Sequence, residues 1–179
     1  MEKATKKIAY TGVFLALVMC FTLISIPIPG TAEYINLGDT VIFFGAFLLG
    51  FPYALIASIG ACFADLILGY VIYAPATLII KPVMCLIACI FVKKTYLTIW
   101  KNALSQTVGY FIASLFMQGG YMLFNYFLFG TVVTGISMFF LFLQTIICVP
   151  LAVVLYFATL KIKVFEKIRL EMREKSRKG

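Results

Sequence analysis

Against a largely apolar background, a handful of side chains can carry charge or a directed hydrogen bond: Asp65 and Lys81, Gln118, Tyr121 and Asn125, Gln144, and Asn36 with Asp39. A charged side chain at the centre of a helix in hydrocarbon costs on the order of 2.5–3.5 kcal/mol, so each of these groups calls for a partner or a task. Asp65 and Lys81 lie at equal sequence distance on either side of Tyr73. A tight turn centred there would bring both to one depth, roughly 12 Å from the turn, where they can form an ion pair. Gln118, Tyr121 and Asn125 follow at i, i+3 and i+7 and share one helix face. Counted from a turn near Gly130, Gln118 is about 15–18 Å deep, Asn125 is close to the surface and Gln144 is about 12 Å deep on the next helix. Groups from several helices then converge in one half of the bilayer, as in a ligand pocket, with Asn36 and Asp39 placed to close over it. The plainer reading is interhelical glue, about 0.6–2 kcal/mol for each amide, with Asp65 and Lys81 a purely structural pair. From the residues alone both readings stand.

Catalysis finds no support. The chain has no histidine, and it shows no Ser/His arrangement, HExxH or paired carboxylates, so it is expected not to be an enzyme. Cys20, Cys62, Cys85, Cys89 and Cys148 all fall in apolar stretches with no CxxC pair, which reads as packing rather than metal binding; no metal or cofactor is expected. No GxxxxGK[ST] phosphate loop is present, so any ATP must be hydrolysed by another chain.

The elements that position these groups follow from composition. Of 179 residues 63% are hydrophobic and 12% charged, with mean hydropathy +1.06, against roughly 45–50% apolar in soluble domains. Such a surface needs hydrocarbon around it. Crossing about 30 Å of hydrocarbon takes roughly 20 helical residues with every backbone amide satisfied internally. Apolar stretches at 8–26, 53–72, 74–92, 103–128 and 136–160 meet that length, and 40–50 is short. Charge parity decides the short one. Lys3, Lys6 and Lys7 precede the first stretch and Lys93, Lys94 and Lys101 follow the fourth; if both groups face the cytoplasm, an even number of crossings separates them. The reading is an all-α bundle of six transmembrane helices spanning 1–160, with both termini cytoplasmic and Glu33 and Asp39 outside. The first stretch lacks a small-residue cleavage site and is expected to be retained.

The net charge of +8 would suggest nucleic acid if it formed a patch, but the lysines and arginines cluster at loops and ends, as orientation signals do; no nucleic-acid partner is expected. The tail 161–179 carries eight of the basic residues, and its Ile162, Phe165, Ile168 and Met172 recur at helical spacing. It reads as a short amphipathic helix at anionic inner headgroups, or as a frayed end. On the first helix Ala9, Gly12 and Ala16 form a small-residue face, suited to close helix approach inside this chain or to docking a separate subunit.

Several stretches together resemble a known family. Tyr34-Ile-Asn-Leu-Gly-Asp39, the following Phe43-Phe-Gly-Ala-Phe-Leu-Leu-Gly50, and Ala74-Pro-Ala-Thr-Leu-Ile-Ile-Lys-Pro82, in this order, within six short helices and with small residues on the first, are similar to the substrate-binding S components of energy-coupling factor (ECF) transporters. The likeness covers nearly the whole chain and is greatest to members assigned to pyridoxine or hydroxymethylpyrimidine, with riboflavin and other vitamins left open by the residues. It implies a bacterial cell-membrane protein that captures a vitamin or precursor from outside. The implied partners are a transmembrane coupling subunit and two cytoplasmic ABC ATPases, which drive toppling of the subunit and release of substrate inside. It also implies substrate contacts from the first outer loop and helices 4 to 6, mapping onto Asn36, Asp39, Lys81, Gln118, Tyr121, Asn125 and Gln144. The family's AxxxA docking face maps onto Gly12 and Ala16, extended by Ala9, with Gly12 departing from the alanine pattern. A competing class is an autonomous proton-coupled carrier titrating Asp65, for which no inverted repeat is evident.

Overall fold

A computed structural model describes residues 2–31, 33–92 and 99–173. In chain order the elements are α1 (Glu2–Leu23), β1 (Ser25–Pro27), β2 (Tyr34–Asn36), α2 (Gly38–Leu48), α3 (Tyr53–Ser58), α4 (Gly60–Ile67), α5 (Ala74–Val92), α6 (Ile99–Leu160) and α7 (Lys163–Arg173). The all-α expectation holds, apart from the small antiparallel hairpin in which Ser25 pairs with Asn36 and Pro27 with Tyr34.

The sequence 38–48 explains the architecture. An 11-residue helix apolar on every side must be surrounded by protein. All its residues except Phe44 are buried, with Phe43 stacked on Tyr110 and Phe47 edge-on to Tyr156. α1, α5 and α6 pack round it and turn Val13, Ile79, Trp100, Phe127 and Val132 outward, as a bundle bathed in lipid requires. Two glycines permit the closest approaches. A Cβ on Gly60 would lie 2.3 Å from the Leu15 carbonyl oxygen, and one on Gly38 would lie 2.1 Å from Thr22 Oγ1. These contacts draw the starts of α2 and α4 against α1.

Among the described residues three helices are long and apolar enough to cross a membrane: Ala4–Leu23, Ala74–Val92 and Ile99–Leu160. The last has 62 residues and is interrupted at Gly130 (φ 80°, ψ −173°), a conformation open to glycine. Gln118 reaches Leu141 and Thr145, so the chain folds back there into segments 99–129 and 131–160. The loop expected between 128 and 136 therefore shrinks to Gly130, because Thr134 Oγ1 donates to the Gly130 carbonyl (2.7 Å) and the helix resumes at once. α2 is about 16 Å long and α3 with α4 about 22 Å, both below the roughly 30 Å of a crossing. The third expected span, 53–72, ends early at Ile67 and breaks at Ile59. Six crossings with cytoplasmic termini thus remain a proposal. Lys93 and Lys94, on which the parity rests, lie outside the described residues, as do 174–179 of the tail. What is described of the tail is helical and docked on the protein: Phe165 meets Phe44, Arg169 lies over the Phe47 ring and Met172 is buried.

Candidate functional site

At the hairpin end of the bundle the polar residues close on one another. Asp39 stands in the first turn of α2, directly after the hairpin. Thr77 and Lys81, one turn apart on α5, face it across the bundle. Lys81 Nζ donates to Asp39 Oδ1 at 2.5 Å, with both side chains about 95% buried. The other carboxylate oxygen, Asp39 Oδ2, accepts from Gln144 Nε2 (2.5 Å), and Gln144 Oε1 accepts from the Asn36 backbone N–H (2.9 Å). Hairpin, α2, α5 and the second half of α6 are thereby joined in one chain of bonds. Lys81 also contacts Met117 Sδ at 3.1 Å and lies 5.7 Å from the Tyr121 ring centroid. The ion pair expected for Lys81 was with Asp65. The count of residues from Tyr73 assumed helix on both sides, but α4 ends two residues after Asp65, so the two residues are not at matching positions of a helical hairpin. Its Oδ1 instead accepts from the Tyr34 hydroxyl.

Beside this network a cavity of about 400 Å³, measured out to its mouth, is lined by Asn36, Lys81, Tyr121 and Gln144 from the expected set. Thr22, Glu33, Tyr34, Ala61, Asp65, Tyr73, Thr77 and Leu141 complete its wall. The other expected residues are placed differently. Asp39 stands behind Lys81 and Gln144. Asn125 is fully buried and takes its bond from the Tyr73 hydroxyl (2.8 Å), while Tyr121 pairs with Thr77 Oγ1 (2.9 Å). Gln118 turns to the second half of α6, donating to Thr145 Oγ1 (2.8 Å), and forms an interhelical bond away from the cavity wall.

Glu33 and Thr22, which the sequence reading left outside the site, join Asp65 in carrying its sharpest feature. Glu33 Oε2, Asp65 Oδ2 and Thr22 Oγ1 line the cavity in residues more than nine-tenths buried, yet among the described residues they have no hydrogen-bond partner. A buried polar group left unpaired costs about 1–3 kcal/mol, and three round one hollow mark a place built to face something polar. Ser137 Oγ and Asn125 Nδ2, also unpartnered, face Glu33 without closing a bond. Burial raises the Glu33 carboxyl above its usual range, partly offset by Ser137, Asn125 and Lys81. Burial, then the charge of Asp65, likewise raises the Tyr34 hydroxyl, so it stays a donor. Glu33 and Asp65 make up two of only seven acidic residues in the chain, and Thr77 sits one turn from Lys81; those were the available signals.

The small-residue face of α1 lies elsewhere. Ala9, Gly12 and Ala16 are all exposed, and a Cβ on Gly12 would meet nothing within 4 Å, so the face is not used inside the chain.

A family model described as ECF-type riboflavin transporter, S component, matches residues 2–161. It supports the S-component resemblance but not the pyridoxine or hydroxymethylpyrimidine branch. No curated protein and no solved structure matches the chain.

Proposed function

Because the chain belongs to the family of S components of ECF-type riboflavin transporters, a transporter family rather than an enzyme family, we propose that it captures a vitamin or vitamin precursor in the cavity at the hairpin end and presents it to an import complex. The observation that carries this reading is the hollow itself: buried carboxylates, a lysine, amides and tyrosines from the hairpin, α4, α5 with the turn before it, and both halves of α6 meet round it, with three of its polar atoms unsatisfied among the described residues. Lipid would penalise that arrangement unless it served a polar ligand.

In this reading six segments form the membrane domain of a bacterial cell-membrane protein, the termini are cytoplasmic and the hairpin end faces outward. The partners are a transmembrane coupling subunit and two cytoplasmic ABC ATPases, with Ala9, Gly12 and Ala16 as the docking face. Asn36, Lys81, Tyr121 and Gln144 contact substrate directly, Asp39 and Asn125 hold them in place, and Gln118 braces the helices. Riboflavin is the vitamin in the family's description. The sequence resemblance makes the single rings pyridoxine and hydroxymethylpyrimidine the alternatives to a three-ring flavin.

Liposome reconstitution tests the transport role. The purified chain should bind ligand yet move none across the membrane until a coupling subunit and ATPases are added with ATP. Uptake by the chain alone under a proton gradient would favour the autonomous carrier instead.

A further inference from the structure

The bonding inventory of the cavity is lopsided. Its strong donors are already engaged: Lys81 Nζ on Asp39, Gln144 Nε2 on Asp39, and the Tyr34 hydroxyl on Asp65. What is left over in the wall mostly accepts, although the unpartnered Asn125 Nδ2 and Ser137 Oγ behind it face Glu33. Glu33 Oε2 and Asp65 Oδ2 are carboxylate oxygens with no partner among the described residues, and Thr22 Oγ1 beside them can bond either way. Charge tells the same story. Glu33, Asp39 and Asp65 gather round one ammonium, Lys81, which Asp39 neutralises at 2.5 Å. Two further carboxylates, Glu33 and Asp65, therefore share with Asp39 a single nearby cation, Lys81, whose bond goes to Asp39.

We infer that the site selects a small ring bearing a positive charge or amino hydrogen-bond donors, held between Glu33 and Asp65, and that it rejects anionic vitamins. This rests on the capture function proposed above and narrows its substrate to one chemical class. An amine or a protonated ring nitrogen would supply the two missing bonds as charge-assisted ones, the stronger kind. A carboxylate or phosphate would meet two like charges in a poorly solvated pocket, with the only lysine already committed. A neutral flavin falls between these: it can donate a few hydrogen bonds but brings no positive charge to either carboxylate. Tyr73 and Tyr121 lie in the same wall with ring centroids 6.5 Å apart, and they offer aromatic surface to the ring and, by their faces, to its positive charge.

Isothermal titration of the full chain in lipid nanodiscs, stripped of any carried ligand, tests this with three probes: an aminopyrimidine bearing a hydroxymethyl group, riboflavin and pantothenate. The aminopyrimidine should bind at least about a hundredfold tighter than pantothenate and tighter than riboflavin. Asp65→Asn and Glu33→Gln, which keep an acceptor oxygen but remove the charge, should each weaken it about tenfold or more, with melting temperature measured alongside to show that the variants fold. Tightest binding of riboflavin or pantothenate would overturn the inference while leaving ligand capture intact. Undiminished aminopyrimidine affinity in both folded variants would also overturn it. Binding of none of the three, together with no small molecule carried through purification, would overturn the inference and the capture reading together.

Discussion

Replacing Lys81 by methionine should destabilise the bundle, and replacing Asp39 by asparagine in the same chain should recover much of the loss. The pair is closed at 2.5 Å with side chains 5% and 3% exposed, so neither charge has water to fall back on. Removing one partner of a buried pair costs about 3–5 kcal/mol because the other is left uncompensated, whereas neutralising both is far cheaper. Among the described residues Lys81→Met leaves the Asp39 carboxylate with the Gln144 amide as its side-chain donor; Asp39→Asn then removes that stranded charge and keeps an acceptor for Gln144. At about 2–4 °C per kcal/mol for a chain of this size, the single variant should melt roughly 6–20 °C lower. The coupling energy between the two sites should be about 2–3 kcal/mol. Thermal melts of the parent, both single variants and the double variant in nanodiscs, followed by the fluorescence of Trp100, complete the cycle. A single variant melting within about 2 °C of the parent, or additive losses in the double, would refute the claim that this ion pair organises the site.

Gln118→Leu should cost about 0.6–2 kcal/mol of stability through its lost bond to Thr145 and leave ligand affinity within about twofold; a large loss of affinity on titration would put Gln118 in the site after all. Burial raises the Glu33 carboxyl above its ordinary 4.5, so the folded state holds that proton to higher pH than the unfolded chain. Its contribution to stability is complete below 4.5 and is lost as pH rises through the folded value, against Ser137, Asn125 and Lys81, which favour the charged form. In Glu33→Gln the melting temperature should accordingly fall less steeply between pH 4.5 and neutrality than in the parent; equal slopes would remove Glu33 as the cause. Gly12→Leu with Ala16→Leu should abolish co-purification with the coupling subunit and spare both melting and ligand binding, since the face is exposed; retained assembly would reject the docking role.

Much of this architecture is legible in the residues because lipid is an exacting solvent: any polar side chain in an apolar run stands out, as Lys81, Tyr121 and Gln144 of the cavity wall do, while Asn36 was read from the first outer loop. Failures came where the argument needed distances rather than types. Depth was counted from loop centres, which holds only if both arms are helix. The arm after Asp65 is six residues of turn from 68 to 73, so the predicted Asp65–Lys81 pair gave way to Lys81–Asp39. Gln118 shares a helix face with Tyr121 and Asn125, yet a face wider than the cavity lets its members serve different neighbours. Thr22 and Glu33 became site residues only through Gly38 pressed on α1 and the hairpin folding its acid inward, both contacts between segments that sequence spacing does not encode. Substrate identity was the least legible, since pocket chemistry is a property of which bonds are left unmade.

The most direct test of ligand capture is mass spectrometry of the small molecule retained by the gently purified chain. One compound should be present near one per protein, and it should be lost when Asp65→Asn and Glu33→Gln are combined in a protein that still folds. Purification of the parent with no retained compound, or an equal amount retained by the double variant, would contradict a binding site built round those unpartnered carboxylates.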